Sequence, residues 1–189
     1  LEPVRIGSGV GYEDRLTVNR NVTLKDGRQT CLRHWDPCPR DEDIAQMGPI
    51  DPEIGLVRVD RLDESPLAIL YNFASHLSMA GPEPGLSADF PGVASRVIEE
   101  NVGDGVMAFF LQGANGDIIE AENLDRSSNR SAESFGTTLA LSVLRGLRRI
   151  ETRVNPTIRM RSATVELPLR TDIPERIAAF EAEQEALLD

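Results

Sequence analysis

Two apolar runs, Leu67–Ala74 and Val106–Leu111, stand out from a chain that otherwise interleaves polar and apolar positions. Each is nearly continuous, the pattern of a strand in a sheet covered on both faces. Upstream, Ile54, Leu56, Val57 and Val59 predict a strand over residues 54–60, and Asp63–Pro66 a turn leading into the first run. Between the runs, Val93, Ala94, Val97 and Ile98 recur at helical spacing behind Asp89, which suits the cap of a helix opening at Phe90 or Pro91. Asn101 and Gly103 supply stop signals. After the polar stretch Arg126–Ser131, a second helix is predicted from Phe135, Leu139, Val143 or Leu144, and Leu147, with Arg145, Arg148 and Arg149 at its negative end. Ile158, Met160, Val165, Leu167 and Leu169 alternate with a slip near Ser162 and Ala163, which predicts a bulged strand or two short ones. Asp172 with Glu175 resembles a capping box, and Ile177, Phe180 and Leu187 line a final helix. Residues 1–55 show little periodicity and many turn signals, among them Gly7–Gly11 and Lys25–Gly27, so a loop-rich N-terminal region is expected. The β-α-β-α-β order predicts a single α/β domain over residues 1–189, with a mixed, largely parallel sheet and helices packed on its faces.

Composition changes this picture only by exclusion. The 189 residues are 40% hydrophobic and 27% charged, as in an ordinary soluble domain. A formal net charge of -11 argues against a nucleic-acid partner and against docking on anionic lipid by charge. No apolar run approaches the roughly 20 residues of a transmembrane segment, and no signal peptide is visible. The first residue is Leu1 and the last helical pattern simply stops, so the chain is expected to be part of a longer protein. Cys31 and Cys38 are too few for a disulfide scaffold. With His34 they read as C-x2-H-x3-C, which lacks a fourth metal ligand, so a single bridge, a metal cluster and an incidental loop all stay open.

The candidate chemistry gathers where the two buried runs end. The first runs into Ser75-His76-Leu77-Ser78-Met79, the second into Gln112-Gly113-Ala114-Asn115-Gly116-Asp117. Strand ends of this kind are where open α/β sheets place ligands. His76 reads either as a buried, hydrogen-bonded histidine or as a metal ligand or general base. Leu86–Gly92 leads into a helix N-terminus, where free N–H groups favour an anion or polarised oxygen, although Asp89 reads equally as a simple cap. The glycines around Asn115 permit close backbone approach, and Asn115 and Asp117 can bond substrate or orient His76; a tight turn has the same composition.

Taken in order, these elements resemble the N-terminal catalytic domain of the neutral/alkaline non-lysosomal ceramidases. The resemblance rests on Asn19-Arg20, on Asp51–Val59 before a core strand, on Phe73–Met79 against F-A-[TS]-H-x-[TS]-M, on Ser87–Ala94 against S-[GA]-D-x-x-G-x-A, and on Phe110–Asp117 against F-x-x-[GSA]-x-x-G-D. It spans residues 15–170. It implies a zinc-dependent amidase acting on a small-molecule or lipid-like substrate, with His76 as a zinc ligand. Asn115 and Asp117 are the expected catalytic residues, and Ser87, Asp89 and Gly113 the expected substrate-binding ones. The family continues its Gly-Asp pair into V-S-P-N with an essential serine; here Ile118-Ile119-Glu120-Ala121 follows, and the serine position falls on Ile119. The other implied ligands, an upstream histidine and a downstream Glu and Tyr, have no counterpart here, and His34 does not sit in the expected motif. The expected function is therefore hydrolysis of an amide or related acyl-type bond, with a non-catalytic binding scaffold as the alternative. A metal-free hydrolase using His76 as base and Ser75, Ser78 or Ser87 as nucleophile ranks behind both, since no G-x-S-x-G elbow is present.

Overall fold

The structure, a computed structural model, describes residues 2–32, 39–79, 85–121, 131–154, 157, 159–169 and 171–188. The chain divides into two compact units, Leu1–Pro156 and Thr157–Asp189. His34, Cys38, Ile158, most of the polar stretch 126–131 and the side chain of Leu187 lie outside the described residues.

The first unit is built on a mixed five-stranded sheet. Its strands are β1 (Val4–Tyr12), β6 (Glu53–Arg61), β7 (Pro66–Phe73), β8 (Met107–Gln112) and β10 (Arg153–Val154), in the order β10-β1-β6-β7-β8. Three shorter strands, β3 (Asn21–Leu24), β4 (Gln29–Cys31) and β5 (Ile44–Met47), form a separate sheet, and β2 (Thr17–Asn19) pairs with β9 (Ile118–Glu120). The predicted strands over 54–60 and in the two apolar runs are present. The expectation of a largely parallel sheet is corrected: among the described residues only β7 and β8 run parallel, joined by helix α1 (Asp89–Val102). The turn after Arg61 closes an antiparallel β6–β7 hairpin, since Arg61 N–H donates to the Ser65 carbonyl (2.8 Å) and leaves no room for a crossover helix.

The loop-rich N-terminal region is also corrected, because the described residues of 4–47 contain five strands. In β1 the alternation is hidden by glycine. Gly7, Gly9 and Gly11 occupy every second position and point to the side where helix α2 (Ala132–Leu147) packs. A Cβ on Gly9 would lie 2.8 Å from Ile150 Cγ1, and one on Gly7 would collide with the Glu151 carbonyl oxygen. Here the buried partner of an inward position is the absence of a side chain, which a hydrophobic pattern does not register.

Helices α1 and α2 lie together on one face of the sheet. Leu56, Tyr71 and Phe110 stand opposite one another across β6, β7 and β8, and this row joins Ile54, Ile69, Phe73, Phe90, Ile98, Phe135, Leu139 and Val143 in one core. Each fully buried Phe or Ile side chain contributes about 1.5–3 kcal/mol relative to exposure. Burial pushes the Tyr71 phenol up to about 12, partly offset by its hydrogen bond with the Ser95 hydroxyl (2.8 Å). On the opposite face no helix of the first unit packs among the described residues, and Met107, Phe109 and Leu111 of β8 remain 54%, 44% and 47% exposed. The expectation of helices on both faces is thus corrected. The apolar runs are continuous because one set of alternate residues faces the helices and the other builds an apolar outer face.

In the second unit, helix α3 (Ile173–Leu188) follows Asp172, and the Arg176 N–H donates to the Asp172 carbonyl (3.1 Å). Residues 159–169, predicted as strand, form none among the described residues, and Met160, Val165, Leu167 and Leu169 are exposed. Alternation specifies a face, but a strand also needs a neighbouring backbone to bond. No described helix is long and apolar enough to cross a membrane.

Two outcomes test this packing. Gly9→Val should destabilise the protein by about 1–3 kcal/mol through overpacking, read as a lower urea midpoint, while Ser8→Val on the exposed side should change it by less than about 0.5 kcal/mol. Because the folded Tyr71 stays neutral above the ordinary tyrosine range of about 10, its stabilising contribution is complete below that range and is lost as pH rises through about 12. A titration of phenolate absorbance should therefore show a late step that Tyr71→Phe removes.

Candidate functional site

Parallel pairing brings the C-terminal ends of β7 and β8 side by side, and the crossover brings the start of α1 to the same edge. The segment after β7 is held from three directions. From β8, Gln112 Nε2 and Asn115 Nδ2 both donate to the Ser75 carbonyl (3.0 and 3.2 Å), and Gly113 N–H donates to the Phe73 carbonyl (2.9 Å). Glycine is required at residue 113, since a Cβ there would lie 2.9 Å from the Ala74 backbone. From α1, the Asp89 carboxylate accepts from the Met79 N–H (2.9 Å) and the Phe90 N–H (2.6 Å). From β9, Ile118 and Glu120 meet His76 and Ser78.

His76 is half-buried at this edge, and its Nδ1 lies 2.7 Å from the Ile118 carbonyl oxygen. A carbonyl only accepts, so Nδ1 carries the proton, and in the neutral ring Nε2 presents its lone pair. A ring held in this way is what metal-ligating histidines require of their second nitrogen.

The remaining expected residues form the surrounding frame. Ser87 Oγ accepts from the Asp89 N–H (3.0 Å). Asp89 sits at φ +51, a left-handed conformation that aspartate tolerates, and its carboxylate bonds Met79 and Phe90 rather than an amide further into the helix as a conventional cap would. Asp117 is exposed, its Oδ2 accepting from Asn19 Nδ2 (2.8 Å) and its carbonyl from Arg20 N–H (2.8 Å). The structure thus gathers His76, Asn115, Gly113, Ser87 and Asp89 around residues 75–79, and ties Asp117 to Asn19 instead. Cys31 is a free, half-buried thiol.

Two residues of this frame carry no assigned role in the sequence reading. Asn19 is buried, donating also to the Pro49 carbonyl (2.8 Å) and accepting from Asn21 N–H (2.9 Å). Glu120 is fully buried, and its Oε1 accepts from Ser78 N–H (3.0 Å) and Ser78 Oγ (2.5 Å). The available signal is a carboxylate directly after Ile118-Ile119, an acid inside an apolar strand. Ile119, at the family's serine position, packs with Val22 and Leu32 in a second small core.

Among the described residues, no group of three or more His, Cys, Asp or Glu is arranged to hold a metal ion. His76 fits one position of such a centre; the described residues do not supply the set.

No family model matches the chain, and no curated protein matches it. Two solved structures share its fold. Neutral ceramidase from Pseudomonas aeruginosa is 18% identical with a TM-score of 0.57, covering 78% of this chain and 23% of that chain. A ceramidase complexed with C2 is 19% identical with a TM-score of 0.58, over the same shares of the two chains. The chain therefore has a distant ceramidase-like fold and spans less than a quarter of the length of either structure.

The frame has a measurable consequence. Asn19→Ala removes the buried amide that bonds Asn21, Pro49 and Asp117, and should cost about 0.5–1.5 kcal/mol for each bond lost, seen as a lower denaturant midpoint with faster amide exchange around residues 115–118.

Proposed function

We propose that this chain carries one wall of the active site of a ceramidase-like hydrolase acting on an amide or related acyl-type bond of a small-molecule or lipid-like substrate. The observation that carries the reading is the His76–Ile118 hydrogen bond of 2.7 Å, which engages Nδ1 and leaves Nε2 as the other ring nitrogen, at the edge where ligands collect in α/β folds. In this reading His76 is one donor to a zinc ion, and the other donors come from outside the described residues. A metal held there would supply Lewis-acid chemistry to an acyl-type bond. Gly113, Asn115, Ser87 and Asp89 shape the pocket beside His76, and Asp117 steadies its wall through Asn19. With Ile119 buried in hydrocarbon at the serine position, no side-chain nucleophile is assigned.

Buried Ile119 also favours one other reading, a non-catalytic relative that binds without cleaving. Metal analysis of the full-length protein separates the two. The enzymatic reading expects roughly one zinc per chain, lost in a folded His76→Ala variant. A full-length protein that holds no zinc and takes up none on addition would leave the binding scaffold.

A further inference from the structure

We infer that Glu120 is a positioning residue for His76, acting through Ser78; the inference rests on the reading of His76 as the functional imidazole. Strand β9 grips the segment after β7 at two matched points. His76 bonds the Ile118 carbonyl, and two residues further along both chains Ser78 bonds the Glu120 carboxylate. The paired offsets make a short ladder whose rungs are side-chain contacts. The first rung holds the ring itself; the second, acting with the bonds at the Ser75 carbonyl and the Met79 amide, holds the backbone that carries it. The far side of β9 is itself held, because Thr17, Val18 and Asn19 pair with Glu120, Ile119 and Ile118. A hydrogen bond to a carboxylate is shorter and stronger than one between neutral groups, which suits the 2.5 Å contact from Ser78 Oγ. Glu120 is also fully buried, so its charge is screened little by solvent. It directly follows Ile119, where this chain leaves the family motif, so the strand that lacks the serine carries this brace instead.

The test uses the full-length protein with Glu120→Gln and Glu120→Ala, and two readouts: the His76 ring tautomer from nitrogen-detected NMR of the metal-free protein, and zinc affinity by competition with a chelator. Glu120→Gln keeps an acceptor oxygen for both Ser78 donors, so the tautomer should persist and affinity should fall less than about 3-fold. Glu120→Ala should give mixed tautomers and a loss of about 10–100-fold, the usual effect of removing support behind a ligand. If Glu120→Ala does not fold, Ser78→Ala removes the shorter rung alone and should shift both readouts in the same direction. A folded Glu120→Ala or Ser78→Ala protein with the wild-type tautomer and affinity overturns the inference, whatever its melting temperature. Should the wild type bind no zinc, the metal reading of His76 fails by itself, and the tautomer still decides whether Glu120 positions the ring.

Discussion

The packing of Phe90 is the constraint on which the rest of the first unit depends. This residue opens the regular part of α1, is fully buried, and meets Phe110 of β8 edge-on at 5.8 Å and Phe135 of α2 at 4.4 Å. One ring therefore ties the crossover helix to the strand it leads into and to the second helix. Aromatic pairs of this kind add about 0.5–1.5 kcal/mol beyond the area they bury. Phe90 also directly follows Asp89, whose carboxylate holds Met79. The core thus reaches the edge that carries the candidate site through a single peptide bond, and residues 75–79 inherit the rigidity of the hydrocarbon beneath them.

The parts of the fold legible in the sequence are those where side chains report their own burial. Leu67–Ala74, Val106–Leu111 and the stripe from Phe135 to Leu147 each declare an element by mass of hydrocarbon. Strand β1 was not legible, because Gly7, Gly9 and Gly11 bury nothing of their own and make room for Ile150 and α2. Direction was hidden as well. Nothing in the run itself distinguishes a strand reached by a hairpin from one reached by a crossover; the short link between Arg61 and Pro66 carries that information. Residues 163–169 show the opposite failure, a clear alternation that forms no strand among the described residues.

The site divides along a similar line. His76, Asn115, Gly113, Ser87 and Asp89 could be found because each sits in a polar break after an apolar run or before a helix. The roles of Asn19, met only as part of a resemblance, and of Glu120 could not, because the Asp117 and Ser78 that they bond lie 98 and 42 residues away. A buried amide or carboxylate takes its meaning from what reaches it across the fold, and that is a property of tertiary structure. The neighbouring Ile119 shows the reverse: a motif position named from sequence whose side chain turns into a separate core.

The backbone at Asp89 sets a narrow substitutional tolerance for this edge. A left-handed conformation costs most L-residues about 1–2 kcal/mol, and glycine would relieve it, yet glycine brings no oxygen to the Met79 amide. Asparagine keeps one acceptor and accepts the same torsion, but offers one oxygen where the two amides each use their own. Drift in related chains should therefore be conservative at this codon even where the surrounding loop varies freely, since the residue that opens the helix is also the one that latches the histidine's segment shut.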